Sequence, residues 1–401
     1  MNKIRTNIIR SGICVGKVLL NIVYFFMKML PSNNKIVMLS RQSDGLNIDF
    51  NYIKEEILKR NKGIQMKILC KKLRKNPKER LKYVFYIFKC MYHVATAKVC
   101  ILDGYSIPIS ILKHKKSLVT IQIWHASGAI KKFGYQSINK KEGRGEEISK
   151  IMQMHKNYTY VISPSIATSN FYKEAFRVDN SNIIINGLPR LDYILKDREN
   201  DEQLKSFFSE YTKYKHKKTI LYIPTFRKNM EHSDTIERVI NAIDFSKYNL
   251  IIKLHPLDKT KKFLDYTIKK KYNTYDLLRI ADYIITDYSS VAFEASILNK
   301  PIYFYVYDID EYKKARGLNV NLFKEMSNST SKTIEKIITS IENGGYDFEQ
   351  LEKFKEKYMG HDYYNNTEKL VDFIFKCLDK GVKDEKIKDN IYEVTKEELN
   401  V

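Results

Sequence analysis

Tyr275–Ser296 reads YDLLRIADYIITDYSSVAFEAS. An amphipathic run leads into an apolar, strand-like core, Tyr283-Ile284-Ile285-Thr286, which breaks into Asp287-Tyr288-Ser289-Ser290 before a second helical pattern begins. The expected structure is a strand, a short polar loop and a helix N-terminus. Ser289 or Ser290 can cap that helix, and the amide groups left over at a helix start, with the dipole behind them, suit a phosphate. An ordinary N-cap between strand and helix accounts for the same residues, so the stretch fixes an α/β reading before it fixes a function.

The same pattern extends in both directions. Upstream, strands are expected at Lys35–Ser40, Gln65–Leu69, Lys98–Leu102, Ser117–Ile123, Tyr158–Ser163 and Ile183–Asn186, with helices near Asn51–Asn61 and Lys78–Thr96. A second series starts at Thr219–Ile223 and continues through Leu250–Leu254, Tyr283–Thr286 and Ile302–Tyr305. Alternating strands and helices imply parallel sheets covered on both faces. The charged, strand-poor stretch Lys196–Lys218 is the expected interdomain connection. The resulting domain reading is a surface helix over 1–31, an N-terminal Rossmann-like domain over 32–205, a C-terminal one over 206–380 and a charged tail over 381–401. Two α/β halves suggest a cleft, and in open parallel sheets ligands sit beyond the carboxyl ends of the strands.

Composition narrows the partners. The 401 residues suffice for about two to three domains, and two fits the repeated series. With 70 basic and 47 acidic residues the formal charge is +23, spread along the chain, which favours anionic lipid headgroups or phosphorylated substrates. No zinc-finger spacing or RNA-binding aromatic segment supports nucleic acid as a partner. The five cysteines, Cys14, Cys70, Cys90, Cys100 and Cys377, are scattered through apolar runs and read as buried thiols of a cytosolic protein, with no metal-site spacing.

Residues 11–30, SGICVGKVLLNIVYFFMKML, follow Lys3, Arg5 and Arg10. Lys17 and Asn21 near the middle disfavour a spanning helix, and no small-residue cleavage site follows. Three readings stand open: a helix lying in the membrane surface with Leu19, Leu20, Ile22, Val23, Phe25, Phe26 and Met29 in the acyl boundary, a helix packed on the first domain, and third a transmembrane anchor.

Polar motifs recur at strand ends. After Val119–Ile123 comes Trp124-His125-Ala126-Ser127-Gly128, where His125 suits a general base near neutral pH and Gly128 permits close backbone approach to a ligand. A structural histidine bonded to the loop is the plainer alternative. Lys253-Leu254-His255-Pro256 places a second histidine at a strand end in the other half. Asn186-Gly187-Leu188-Pro189-Arg190-Leu191-Asp192 offers Arg190 to a phosphate or to Asp192, and Pro224-Thr225-Phe226-Arg227 offers Thr225 and Arg227 to a phosphate.

In this order, WHASGAIKKFG, SPS with TSNFYKEAF, NGLPRLD, LYIPTFR, KLHP and DLLRIADYIITDYSSVAFEASILNKPIYFYVYDIDEY resemble the CDP-glycerol glycerophosphotransferase family of bacterial wall teichoic acid synthesis, which includes the teichoic acid primases and the glycerol- and ribitol-phosphate polymerases. The resemblance covers roughly half of the chain, from about Val119 to Arg316. It implies a GT-B fold, two Rossmann-like domains facing a cleft, with an N-terminal amphipathic membrane-associating helix. It also implies transfer of glycerol phosphate or ribitol phosphate from a CDP-alditol to a hydroxyl of an undecaprenyl-diphosphate-linked acceptor, with release of CMP, on the cytoplasmic face of the membrane. No cofactor or metal is implied, and a homo-oligomeric state is left open. His125 and His255 fall on the family's catalytic histidines. Asp287, Ser289 and Ser290 fall on the donor diphosphate loop, and Arg279 and Asp282 on the helix bordering the cytidine pocket. Thr225, Arg227, Lys253, Gly128 and Arg190 complete the expected substrate-binding set.

Two departures stand out. Ala126-Ser127-Gly128 replaces the common Gly-Thr-Pro, and Leu318-Asn319-Val320-Asn321 replaces an aromatic and acidic segment; both bear on the acceptor or alditol side rather than on the chemistry. Two other classes remain: a GT-B nucleotide-sugar glycosyltransferase, for which Glu294 is the candidate donor-loop carboxylate, and a non-enzymatic basic scaffold bound to the membrane.

Overall fold

The computed structural model describes residues 2–74, 76–197, 201–227, 233–255, 258 and 262–380. The expected charged tail over 381–401 and the turn residue Pro256 lie outside the described residues. The chain forms two compact units. The first holds residues up to His125, Phe133–Arg190 and the chain from Asn365 onward; the second holds Ala126–Lys132 and Leu191–Tyr364.

The first unit is built on six strands, β1 Lys35–Ser40, β2 Gln65–Cys70, β3 Val99–Leu102, β4 Val119–Gln122, β5 Tyr160–Ser163 and β6 Ile183–Ile185. They pair in parallel in the order β2-β1-β3-β4-β5-β6. Its helices are α1 Asn2–Met27, α2 Ile48–Arg60, α3 Pro77–Ala95, α4 Ile107–Ile111, α5 Glu146–Ile151, α6 Ile166–Phe176 and α7 Pro189–Ile194, the last of which crosses into the second unit after Arg190. β1, β3, β4 and β5 are buried along their whole length, as strands covered on both faces must be.

The second unit carries β7 Lys218–Ile223, β8 Tyr248–Ile252, β9 Tyr283–Thr286, β10 Ile302–Tyr305 and a two-residue strand β11 Thr330–Ser331 that the sequence reading did not anticipate. The parallel order is β11-β10-β9-β7-β8. Its helices continue as α8 Glu202–Glu210, α9 Ser233–Ala242, α10 Thr274–Ile280, α11 Val291–Ser296, α12 Ile309–Ala315, α13 Leu322–Glu325, α14 Ile334–Asn343 and α15 Phe348–Met359.

The units divide at Arg190/Leu191, ahead of the expected boundary after residue 205. The reason is packing. Phe207 on α8 is buried in an aromatic cluster with Tyr211, Tyr214 and Tyr272, which binds the charged connection to the second unit. A second difference lies at the other end. The last described helix, α16 Asn366–Lys380, was assigned to the C-terminal domain, but its Leu370, Val371, Ile374 and Leu378 join Ile36, Phe50, Ile53 and Ile101 in the core of the first unit.

α1 is amphipathic with its polar side inward. Asn21 Nδ2 donates to Ile111 O at 3.0 Å, Lys113 N donates to Asn21 Oδ1 at 3.1 Å, and the Tyr24 hydroxyl meets His114 Nδ1 at 2.7 Å. The residues that would disfavour a spanning helix are those that fasten it to the first unit. Val18, Leu19, Ile22, Phe25, Phe26 and Met29 are exposed, as are Leu81, Val84 and Phe85 of α3. Cys14 is exposed as well, unlike the expected buried thiol; Cys90, Cys100 and Cys377 are buried.

A tight contact inside the first unit gives a stability test. Gly134 has φ +55° and a Cβ there would lie 2.2 Å from the carbonyl oxygen of Ala175 on α6. Gly134→Ala combines a left-handed backbone with a backbone clash, so a loss of about 1–3 kcal/mol is expected. An unchanged urea midpoint for the variant would contradict this packing.

Candidate active site

In each sheet the chain leaves one strand toward one side and returns to pair on the other. This gives a switch point between β1 and β3 and another between β7 and β9. At such a point the loops after the two strands diverge and leave space for a ligand at the carboxyl ends.

At the first switch point stands His125. Beyond β4, Trp124 N donates to Gln122 Oε1 at 2.9 Å, and Gln122 Nε2 donates to Gly104 O at 3.1 Å. Trp124 takes φ +56°, a strained value for a bulky residue, and the turn delivers His125 to the surface. The imidazole lies 4.0 Å from the Trp124 ring, which stacks on Phe133 at 4.9 Å. His125 Nδ1 sits 3.0 Å from Asp103 O at the end of β3 and 3.3 Å from Gln42 Nε2 beyond β1. A backbone carbonyl can only accept, so Nδ1 carries the proton toward Asp103 O and Nε2 the lone pair, and the Gln42 amide nitrogen, itself a donor, stands beside Nδ1 without a hydrogen bond to it. This is the tautomer a general base needs, oriented by its neighbours.

Arg190 acts on the same residue from behind. It pairs with Asp49 of α2. Its Nε lies 3.1 Å from Asp49 Oδ2, its own amide donates to Asp49 Oδ1 at 2.9 Å, and its Nη1 donates to His125 O at 2.8 Å. Both partners are buried. Arg190 thereby holds the loop of His125 in place.

After His125 the chain passes to the second unit. Gly128 is there because a Cβ would meet Phe293 of α11 at 2.5 Å, and Ser127 N donates to Glu294 Oε1 at 3.1 Å. Asn319 N donates to Ile130 O at 2.7 Å and Lys132 N to Gly317 O at 3.0 Å. The segment Ile130–Lys132, just after the first departure from the family pattern, is therefore hydrogen-bonded to Gly317 and Asn319 at the second.

At the second switch point, Asp287 follows β9. Its carboxylate accepts from Thr225 N at 2.9 Å and Tyr288 N at 2.6 Å and pairs with Arg227 Nη1 at 2.9 Å. Arg227 also clasps Asp308 through Nε at 2.8 Å and Nη2 at 3.0 Å, and lies over Tyr312 and Tyr288. Asp287, Thr225 and Arg227, expected as ligands of a phosphate, form a buried clamp joining the loops after β7 and β9. Ser289 and Ser290 follow it half-buried. Ser290 occupies the N-cap of the six-residue α11 but makes no capping hydrogen bond, and Val291 N reaches Ser289 Oγ at 3.4 Å. His255 is exposed beyond β8, its ring 5.4 Å from Phe226, and Lys253 Nζ donates to Tyr272 O at 3.3 Å. Burial holds the Lys253 ammonium below its ordinary range, against the opposing charge of Asp276.

Two expected residues are placed apart from these loops. Arg279 is fully buried, its guanidinium paired with Asp201 and donating to Lys196 O at 2.9 Å. Asp282 precedes β9, at the end opposite Asp287, where it accepts from Thr219 N at 2.9 Å and pairs with Lys218.

The reading from sequence missed Gln42, Asp49 and Asp103 around His125, and Tyr288 and Asp308 around Arg227. The signal was present for two of them: Ser40-Arg41-Gln42 and Asp103-Gly104 are also polar strand ends. Asp103 is the notable one. Ser40 Oγ donates to its Oδ2 at 2.6 Å and Asn47 Nδ2 at 2.8 Å, while its buried Oδ1 has no hydrogen-bond partner.

Burial pushes the Asp103 carboxyl up to about 6, opposed by the Ser40 hydrogen bond and aided by the Asp49 charge. A carboxyl raised in the folded state contributes its stability below the unfolded pKa and loses it as pH rises through the folded one. The wild type is therefore expected to lose up to about 3 kcal/mol between about pH 4 and pH 7 relative to Asp103→Asn. Parallel melting curves of the two proteins across that range would remove the assignment.

Comparison with known proteins matches residues 22–376 to the family model for CDP-Glycerol:Poly(glycerophosphate) glycerophosphotransferase. The teichoic acid ribitol-phosphate primase of Bacillus spizizenii is 33% identical over 368 residues, covering 88% of this chain and 94% of the relative. The teichoic acid glycerol-phosphate primase of Bacillus subtilis is 33% identical over 298 residues, 72% of this chain and 76% of the relative. The solved wall teichoic acid polymerase TagF superposes with a TM-score of 0.68 at 20% identity, covering 93% of this chain and 98% of that one, and so shares the two-sheet α/β fold. The chain belongs to the CDP-glycerol:poly(glycerophosphate) glycerophosphotransferase family.

Proposed function

We propose that the protein transfers glycerol phosphate or ribitol phosphate from a CDP-alditol to a hydroxyl of a membrane lipid-linked acceptor, with release of CMP, in teichoic acid or related cell-surface polymer synthesis. The observation that carries the reading is His125, exposed at a switch point with Nδ1 held on the Asp103 carbonyl. In the first unit, Nε2 takes the proton from the acceptor hydroxyl as its oxygen attacks the phosphorus next to the alditol. The bond from that phosphorus to the CMP oxygen breaks. In the second unit, His255 and the loop of Ser289 and Ser290 meet the charge that develops on the departing CMP.

Asp287, Thr225, Arg227 and Arg190 act as the frame of these loops, and Arg279 ties α10 to Asp201 and Lys196. A nucleotide-sugar donor is less well supported. The carboxylate such a donor would call for, Glu294, is 2% exposed and engaged with Ser127 N.

The exposed apolar row of α1, beside that of α3, supports a peripheral location on the cytoplasmic face of the membrane. The inward-facing Asn21 and Tyr24 fit a helix that lies on the bilayer rather than crossing it.

Two measurements test this. His125→Ala is expected to lower CMP release from CDP-glycerol or CDP-ribitol by about 10²- to 10⁴-fold, with His255→Ala also strongly reduced; near-wild-type turnover of both, or release of UDP from UDP-sugars by the wild type, would overturn the assignment. Phe25→Asp combined with Phe26→Asp is expected to move the protein from floated phosphatidylglycerol vesicles to the soluble fraction. Undiminished flotation would exclude α1 as the membrane contact.

A further inference from the structure

A cavity of about 380 Å³ lies in the first unit on the far side of the aromatic layer that carries His125. Its lining includes Lys150, Lys156 and Arg177, with Asp179 as the opposing charge, over a floor that includes Met154 and Phe176. Lys150 is paired with Glu146, whereas Lys156 has no acidic partner among the described residues, and Arg177 stacks over Tyr135 at 3.8 Å. His155, also in the wall, is buried and pushed down to about 3 by burial, so it adds no charge at neutral pH.

The wall is built in a strained form. Gln153, His155, Asn157 and Arg177 all have positive φ, between 45° and 70°. None is glycine, so the surrounding contacts must hold them there. Asn157 Nδ2 donates to Ile109 O at 2.8 Å and Leu112 O at 3.0 Å, and His155 Nδ1 meets the Tyr158 hydroxyl at 3.0 Å. Three consecutive alternate residues locked in this way give a preformed basic hollow rather than a collapsing loop.

Its two borders give it a direction. On one side Lys17 of α1 reaches Ile151 O at 3.5 Å and, with the Gln153 amide turned to satisfy its neighbours, Gln153 Oε1 at 3.1 Å. On the other, Phe176 and His155 lie 5.1 Å and 5.9 Å from the Trp124 ring, which in turn contacts His125. The cavity thus adjoins both the helix with the exposed apolar row and the layer beneath the candidate base.

We propose that this cavity binds the phosphate-bearing headgroup of the lipid-linked acceptor, with Lys156 and Arg177 as its cationic contacts; the identity of the lipid as acceptor rests on the transfer reading above. An anionic diphosphate fits the basic rim, and a lipid tail leaving toward α1 meets apolar side chains.

Trp124 is the only tryptophan, so its fluorescence reports on the cavity wall without any donor present. Farnesyl diphosphate is expected to give a saturable change at a concentration at least about tenfold below that needed for inorganic pyrophosphate, because only the former fills both parts. In Lys156→Glu/Arg177→Glu, two exposed positions whose reversal leaves the far-UV spectrum unchanged, binding is expected to weaken by about tenfold or more. No saturable response, equal affinity in the double variant, or equal affinity for the two ligands would overturn the proposal. So would a response to phosphatidylglycerol vesicles that matches farnesyl diphosphate and survives the double charge reversal. In turnover, the double variant is expected to raise KM for the lipid acceptor and leave that for the CDP-alditol unchanged. An unaltered acceptor KM with normal CMP release overturns the cavity and leaves the reaction standing. Saturable, charge-dependent binding without CMP release from any CDP-alditol overturns the reaction and leaves the cavity.

Discussion

A parallel sheet cannot close its own strand ends. Each strand stops at the same edge, and where the order runs β2-β1-β3 or β8-β7-β9 the next segments leave to opposite sides. The opening that results exposes backbone amides and carbonyls that have no ladder partner, and side chains or ligands must satisfy them. In this protein the residues that do so are the ones with functional potential. Asp103 O takes the imidazole of His125, and Asp287 takes the amides of Thr225 and Tyr288.

Buried charge holds both loops in shape. Arg190–Asp49 and Arg227 with Asp287 and Asp308 are shielded from water, and each arginine carries more hydrogen bonds than a single pair would need. Such groups contribute little net stability over apolar packing, because desolvation offsets the attraction, yet removing one partner strands the other. Their value here is geometric. Arg190 fixes the carbonyl of His125, and Arg227 fixes the spacing between the loops after β7 and β9. Catalytic groups need that rigidity, since a displacement of about 1 Å can cost a large share of the rate.

α1 shows the reverse of the usual amphipathic rule. Its polar residues face protein and its apolar residues face outward, because the carbonyl of Ile111, the amide of Lys113 and the ring of His114 offer hydrogen bonds that only Asn21 and Tyr24 can use. From composition alone, insertion and packing stood as rivals. The structure shows the packing, with Asn21 and Tyr24 bonded to the first unit and the apolar face exposed.

The sequence determined the alternation of strands and helices, the parallel class and the strand-end positions of His125, His255 and the Asp287–Ser290 loop, since each is a local pattern of apolar runs interrupted by polar residues. Tyr283–Thr286, Lys35–Ser40 and Ile302–Tyr305 are strands with the expected limits. What only the tertiary structure decided is which polar residues face one another. Arg190 pairs with Asp49, 141 positions away, and Arg227 finds Asp308 at a separation of 81. Arg279 and Asp282 sit beside the key loop in sequence, yet one is buried in α10 against Asp201 and the other stands at the opposite end of β9. A strand of four residues reverses which edge of the sheet a neighbour occupies, and burial of a charge depends on partners that the chain brings in from far away; neither is encoded in local spacing.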